Sequence, residues 1–208
     1  MIRYIFIAIL LSIVNCQLSI VHCQTPMQLL DEAAAKATSG GHLDIAFTVH
    51  LADGDMQGRI EVQGNRFVLL TPGMQTWFDG KTQWTYAEVN EEVSVTEPTL
   101  EELQAINPYA WISLYQQGYD LKFAETAVPN VRKVIMTSNV AREEMQSIVL
   151  LLHQTELYPV RISMASRAGL DVVVIDVDEY NVYQQPLPDG HFTFKPSDHP
   201  GVEVIDLR

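Results

Sequence analysis

The sequence predicts a mainly β protein: one curled antiparallel sheet of about ten strands, with a helix before it and a helical insertion in its middle. Three observations predict it. Apolar and polar residues alternate along 43–51 and again along 56–63, which is the period of a strand with one greasy face. Asp53-Gly54, Gly64-Asn65 and Asp79-Gly80 punctuate the chain with hairpin-turn dipeptides. Only 26–38 and 99–118 carry helix start and stop signals. A sheet this wide must curl or close, and curling makes one face concave.

The first residues read differently from the rest. Met1-Ile2-Arg3 is a short basic start, and Ile5 to Val14 is an almost pure apolar run. That run is too short to span a bilayer as a helix but fits the apolar region of a secretory signal. Val21-His22-Cys23 before Gln24 offers small residues at the two positions a signal peptidase reads. Residues 1–23 therefore read as a cleaved signal peptide and 24–208 as a single domain. Cys16 and Cys23, the only cysteines, fall in the leader, so the exported domain must hold together by burial, without disulfides. A lipid-anchored envelope protein is the alternative, with Cys16 or Cys23 acylated, but Asn15 and His22 are poor residues before such a cysteine.

In the expected domain, Thr25 caps a helix whose first position suits Pro26. Met27, Leu30, Ala34 and Ala37 share its apolar face, and Ser39-Gly40-Gly41 ends it. Strands follow at Leu43–Leu51, Met56–Gln63, Arg66–Thr71, Met74–Phe78, Lys81–Val89 and Val93–Thr96, a meander of consecutive hairpins. Thr99 with Glu102 forms a capping box for a short helix, Asn107-Pro108 restarts a second, and Gly118 stops it. Strands resume at Tyr119–Glu125, Val131–Ser138, Ser147–His153, Pro159–Ala165 and Asp171–Val182. Phe192–Phe194 and Val202–Ile205 make a short edge. Ile148–Leu152 and Val172–Val177 are apolar on both faces, which predicts cover on both sides.

The formal balance of 13 basic and 26 acidic side chains, net −13, argues against nucleic acid as a partner, because a polyanion needs a dense basic surface. The six histidines are scattered, with no spacing that converges on a metal. Asp176 and Asp178 share a strand face and could hold calcium, but a solvated outer face opposite Ile175 and Val177 explains them too, and no calcium-loop spacing surrounds them. There is no nucleophile elbow and no Gly-rich phosphate loop. Nothing indicates an enzyme or a cofactor; catalysis would need two or more converging His, Asp or Glu side chains inside the hollow.

Several runs carry a family likeness. Gly58-Arg59-Ile60-Glu61-Val62, then Phe67, Asp79-Gly80-Lys81-Thr82-Gln83-Trp84-Thr85-Tyr86, Phe192-Thr193-Phe194-Lys195-Pro196 and Gly201-Val202-Glu203-Val204-Ile205-Asp206 resemble, in this order, the periplasmic outer-membrane lipoprotein carrier family, LolA. The resemblance implies an unclosed β-barrel with a helical lid over an apolar cavity. It also implies a monomeric periplasmic carrier that takes acylated lipoprotein from an inner-membrane transporter and passes it to an outer-membrane receptor. The family's Lys-Arg-Pro run, whose Arg is implied to latch the lid, is Gln63-Gly64-Asn65 here, and the nearest basic residue is Arg66. This departure keeps open a second reading, a non-enzymatic envelope sensor or interaction module on the same half-barrel.

Under the carrier reading the cavity lining is Phe47, Val49, Ile60, Val62, Phe67, Leu69, Trp84, Tyr86, Leu121, Phe123, Ile162, Met164, Val173 and Ile175. The lid contributes Met27, Leu30, Tyr109, Trp111, Ile112 and Leu114. Burying one acyl methylene is worth about 0.8 kcal/mol, so such a cavity needs no polar motif. The same residues could equally make a closed core.

Overall fold

Thr25 opens the first element by closing a capping box. The Gln28 backbone N–H donates to its hydroxyl at 3.2 Å, and its own N–H donates to the Gln28 side chain at 2.9 Å. Helix α1 (Pro26–Thr38) follows and buries Leu29, Leu30, Ala33 and Ala37. The expected face included Met27, which is instead 40% exposed. Leu29, Ala33 and Ala37 recur every four residues, and with Leu30 beside them they set the buried stripe, leaving Met27 on its flank.

The protein is described by a computed structural model over residues 24–51, 53–99, 102–103, 115–116, 118–139, 146–165 and 172–208. After α1 come β1 (His42–Leu51), β2 (Gly54–Gln63), β3 (Arg66–Thr71), β4 (Met74–Phe78), β5 (Gln83–Ala87), β6 (Glu92–Thr96), β7 (Tyr119–Ala124), β8 (Val131–Ser138), β9 (Ser147–His153), β10 (Pro159–Ala165), β11 (Val172–Tyr183) and β12 (Glu203–Asp206). They form one twelve-stranded sheet in the order β12-β6-β5-β4-β3-β2-β1-β11-β10-β9-β8-β7. The expectation of about ten strands is therefore low. The sheet curls without closing, with β12 and β7 as its two edges. Two meanders, β1–β6 and β7–β11, join where β1 pairs with β11. All neighbours are antiparallel except β12, which lies parallel to β6.

Among the described residues the ladder has two irregularities, one of them with a cause in the sequence. The β10–β9 register shifts between Pro159 and Arg161, where proline has no N–H to give. The β1–β11 register shifts between Ala46 and Phe47. Such bulges bend a sheet and raise its local twist.

Buried apolar side chains form two separate clusters. The larger joins α1 to one face of β1–β4 and β7–β11, the concave side. The smaller joins Val68, Trp77, Val93 and Val95 on the other face to Phe192 and Phe194 of the C-terminal segment. Phe192–Phe194 is thus not the expected edge strand. Asp189–Phe192 is a 3₁₀ turn, and both phenylalanines anchor a strap across the convex face. The double cover expected for Ile148–Leu152 and Val172–Val177 is also corrected. Ile148, Leu150 and Leu152 are buried, but Val149 and Leu151 are only half-buried and Val172 is 53% exposed.

The mid-chain insertion is described only at its ends. Thr99 makes its expected box: Glu102 Oε2 accepts from the Thr99 N–H at 2.7 Å and the Glu102 N–H donates to the Thr99 hydroxyl at 3.3 Å. The Leu103 N–H then donates to the Thr99 carbonyl at 3.0 Å, a first helical bond. Tyr109, Trp111, Ile112 and Leu114, like residues 1–23 and both cysteines, lie outside the described residues. No described helix is long and apolar enough to cross a membrane.

Asp176 and Asp178, the tempting acidic pair, are occupied on the outer face. Arg161 grips Asp176 with two bonds at 2.5 and 2.7 Å, and the Thr48 hydroxyl donates to Asp178 at 2.8 Å. His50 sits between Asp176 at 2.9 Å and Asp55 at 2.8 Å. Bonds to these two carboxylates, Asp176 first, raise the pKa of His50 above its ordinary value, and Arg161 foremost holds Asp176 below its own. A raised folded-state pKa stabilises fully below about pH 6.5 and is lost as pH rises through the raised value. His50→Gln should therefore melt lower than wild type at about pH 5.5, and the gap should shrink by about pH 8.5. A gap that does not narrow over that interval would sink this reading of His50.

Candidate functional site

The concave face can be followed row by row, because directly paired residues of antiparallel strands share a face. One row runs Leu43, Val62, Phe67, Phe78 from β1 to β4. The next runs Ile45, Ile60, Leu69. In the other direction Val49 leads to Ile175, Ile162, Leu150 and Val134 across β11, β10, β9 and β8. Met164 and Val173 pair, and Met164 continues to Ile148, Met136 and Leu121. The result is a continuous apolar surface across nine strands of an open sheet.

This surface has two depths. Ile45, Ile60, Met136, Ile148, Leu150, Leu152 and Ile162 are fully buried and make a rigid floor. Met56, Leu69, Leu121, Met164, Val173 and Val177 pack against that floor but stay only half-buried. Gly58 makes room for one aromatic ring: a Cβ there would sit 2.4 Å from the Cζ of Phe47. Both described flanks of the mid-chain insertion reach the same cluster, through Leu103 and Tyr115. The Tyr115 hydroxyl donates to Asp31 of α1 at 2.7 Å, and burial, with that bond, raises the pKa of the phenol. Burial pushes the Tyr180 phenol up to about 12.

Most of the expected lining meets here. Phe47, Val49, Ile60, Val62, Phe67, Leu69, Leu121, Ile162, Met164, Val173 and Ile175 belong to the concave cluster, as does Leu30 from α1. Phe123 pairs with Val134 on this face but lies on the edge strand, 37% exposed, beneath the Arg132 guanidinium at 4.6 Å. Trp84 and Tyr86 are corrected: they pack on the convex cluster with Val95, Val93 and the strap. The hairpin loop decides this, because Phe78 pairs with Gln83 and so Gln83, not Trp84, turns inward. Leu43, Ile45 and Phe78, and the β8–β9 residues Val134, Met136, Ile148, Leu150 and Leu152, belong to the same cluster without having been expected there. The alternation of β1 already marks the first two, whereas β9 is apolar at every position from Ile148 to Leu152 and hides its own register.

Beyond β3 the same rows turn polar. Leu69 leads to Thr76, Thr85 and Ser94, and Phe78 to Gln83 and Thr96. Thr76 and Gln83 are buried. The Gln83 amide donates to the Thr85 hydroxyl at 3.2 Å, and that hydroxyl lies 3.3 Å from that of Thr76. None of these is a carboxylate or imidazole. Among the described residues no group of three His, Cys, Asp or Glu could hold a metal ion.

Arg66 faces away from all of this. Its guanidinium bonds Asp189 at 2.7 Å and lies 4.8 Å over the Phe192 ring, so it pins the strap to the convex side. Glu61 and Gln63 support the same segment, through His191 at 2.7 Å and the Leu187 N–H at 2.7 Å. Because Asp189 is almost wholly exposed, its ion pair contributes little and the ring contact most. Arg66→Met should cost about 1 kcal/mol and Asp189→Ala close to nothing, read from urea midpoints. Equal losses in the two variants would overturn that division.

Residues 23–168 match the family described as outer membrane lipoprotein carrier protein LolA. Among curated proteins none matches the chain. An uncharacterized conserved protein of Thermus thermophilus superposes with a TM-score of 0.59 at 14% identity, covering 86% of this chain and 98% of its own. A DUF1329 family protein of Desulfovibrio piger gives 0.52 at 10% identity, with 85% and 99% covered. A LolA superfamily protein of Nitrosomonas europaea gives 0.46 at 13% identity, with 82% and 98% covered. At such identities the first two likenesses speak to the fold alone.

Proposed function

The chain belongs to the outer membrane lipoprotein carrier protein family LolA, and from that premise we propose that it carries acylated lipoprotein, or another lipidated ligand, on its concave face. The observation that supports this most is the unbroken apolar surface of an open sheet, whose half-buried members Met56, Leu69, Leu121, Met164, Val173 and Val177 offer contact area that the fold does not consume. Acyl tails gain by burial there without specific polar contacts. In this reading residues 1–23 are a signal peptide, the mature domain works in the periplasm, and cargo passes from an inner-membrane transporter to an outer-membrane receptor. No residue is assigned a catalytic role.

The test is direct. The protein is purified from periplasm under mild conditions, extracted, and the extract analysed by mass spectrometry beside a displacement assay with a fluorescent fatty-acyl probe. Copurifying acylated lipoprotein and saturable displacement are expected. A protein that neither copurifies with nor binds any acylated molecule is not a carrier.

One observation favours the second reading, an envelope sensor or interaction module. The basic residue nearest the family's latch run, Arg66, is committed to the convex strap, so it does not serve a lid on the other face. A stable complex with a membrane protein, and no transfer of bound acyl cargo to vesicles, would select that reading over the carrier.

A further inference from the structure

We infer that the concave face carries a second, polar subsite on β4–β6 that recognises the carbonyl and amide linkages of a ligand, beside the apolar surface that takes its tails. The inference rests on the acyl-binding reading and adds to it the place on the sheet where the ester and amide linkages of the acyl groups are recognised.

Neutral hydrogen-bonding side chains are unusual on the inner face of a curled sheet, since each must be satisfied once water is removed. Here five of them are contiguous. Thr76, Thr85 and Ser94 form one cross-strand row, and Gln83 and Thr96 the next. They directly extend the apolar rows that end at Leu69 and Phe78. A single ligand lying along these rows passes from an apolar to a hydrogen-bonding floor.

Gln83 Nε2 donates to the Thr85 hydroxyl, and the Thr85 and Thr76 hydroxyls share one bond at 3.3 Å in which either is the donor. In either sense one hydroxyl hydrogen of the pair is left over. At the Gln83 end, Oε1 is buried and accepts no bond among the described residues. The group therefore presents one unused donor and one unused acceptor. An ester carbonyl suits the first, and an amide N–H suits the second. A bare hydrocarbon uses neither.

There is room beside the Gln83–Thr96 row. A cleft of about 500 Å³ is lined by Gln83 and Thr96 together with Glu97, Pro98, Glu102 and Arg208. Its charged groups are already engaged. Arg208 holds Asp206 with bonds at 2.9 and 2.6 Å, Lys81 pairs with Glu97 at 2.9 Å, and Glu102 caps Thr99. What remains for a ligand is neutral hydrogen bonding, which matches ester and amide groups better than a phosphate or a free carboxylate.

The experiment compares two probes on the full chain. One is a peptide whose N-terminal cysteine bears a palmitoyl amide and a thioether-linked dipalmitoylglyceryl group. The other has alkyl ethers in place of the esters and a methylated amide nitrogen. Binding is measured for wild type, for Gln83→Leu and for the double variant Thr76→Val/Thr85→Val. Thermal melting is followed in parallel. Wild type should prefer the ester–amide probe. Each variant should lose about tenfold in affinity for it, the scale of one net hydrogen bond, while binding the ether probe as before and melting no lower than wild type. Equal affinity of wild type for the two probes, or equal loss of both in the variants, overturns the subsite and leaves acyl binding standing. Failure of wild type to bind either probe overturns the acyl-binding reading itself.

Discussion

Gly41→Ala is expected to destabilise the protein by about 3 kcal/mol, near the top of the range for an added methyl group. An ideal Cβ at Gly41 would lie 2.2 Å from the carbonyl carbon of Gln185, 2.4 Å from its oxygen and 2.6 Å from Pro186 N. These are backbone atoms, so no rotamer change relieves the clash. The contact matters because it is where β1 and β11 begin to pair. The Gly41 N–H donates to the Tyr183 carbonyl at 2.6 Å, His42 Nδ1 meets the Gln185 carbonyl at 2.8 Å, and the His42 and Tyr183 rings stack at 4.7 Å. That pairing alone joins the two meanders. For a domain of this size the loss corresponds to a fall of about 6–12 °C in melting temperature. Gly190→Ala is the control, since the nearest atom to its Cβ would be Lys195 Cε at 3.8 Å. It should change stability by less than about 0.5 kcal/mol. A Gly41→Ala protein that melts with wild type would show that the 184–186 segment does not press on β1.

Gly41 also illustrates what sequence can and cannot convey. Ser39-Gly40-Gly41 is legible as a helix stop, but not as the seat of a peptide plane from 144 residues later, because close approach leaves no periodic trace. Hairpins are legible where a dipeptide dictates backbone sign. Gly54, Gly64 and Gly80 all adopt positive φ at the expected turns, and β3, β4, β8, β9 and β10 begin and end where the sequence predicts. Facing is less legible. In β1 the polar partners Asp44, Thr48 and His50 fix the inward set, whereas in β5 the alternation of Trp84 and Tyr86 with Thr85 points the wrong way, and only the length of the 79–82 loop sets which face turns inward. The strap reads as an edge strand because Phe192-Thr193-Phe194 alternates like one. Its two rings do face one way, toward Trp77 and its neighbours, but from the end of a 3₁₀ turn and the segment just after it, laid across the sheet and not within it.

The candidate site itself yields the other large effect. Met164→Glu should weaken binding of a fatty-acyl probe by up to several hundredfold at pH 7 while leaving the fold intact. Met164 is half-buried, paired with Val173 on β11 and flanked by Ile148 on β9, so in the unliganded protein its side chain retains access to water. A glutamate there can stay ionised until an acyl tail covers it. Burying the carboxylate uncompensated is prohibitive, so it would take up a proton instead. Neutralising a group of ordinary pKa about 4.3 at pH 7 costs about 3.7 kcal/mol, which is roughly 500-fold in affinity. At pH 5 the same step costs about 1 kcal/mol, and binding should return to within about sixfold of wild type. Met164→Leu conserves shape and polarity and should bind as wild type does at both pH values. The recovery on acidification is the diagnostic part, because a merely misfolded or sterically blocked variant would not regain affinity when protonated. If Met164→Glu binds the probe normally at pH 7, acyl tails do not lie over β10 and β11, and the half-buried apolar residues of that end belong to the core alone.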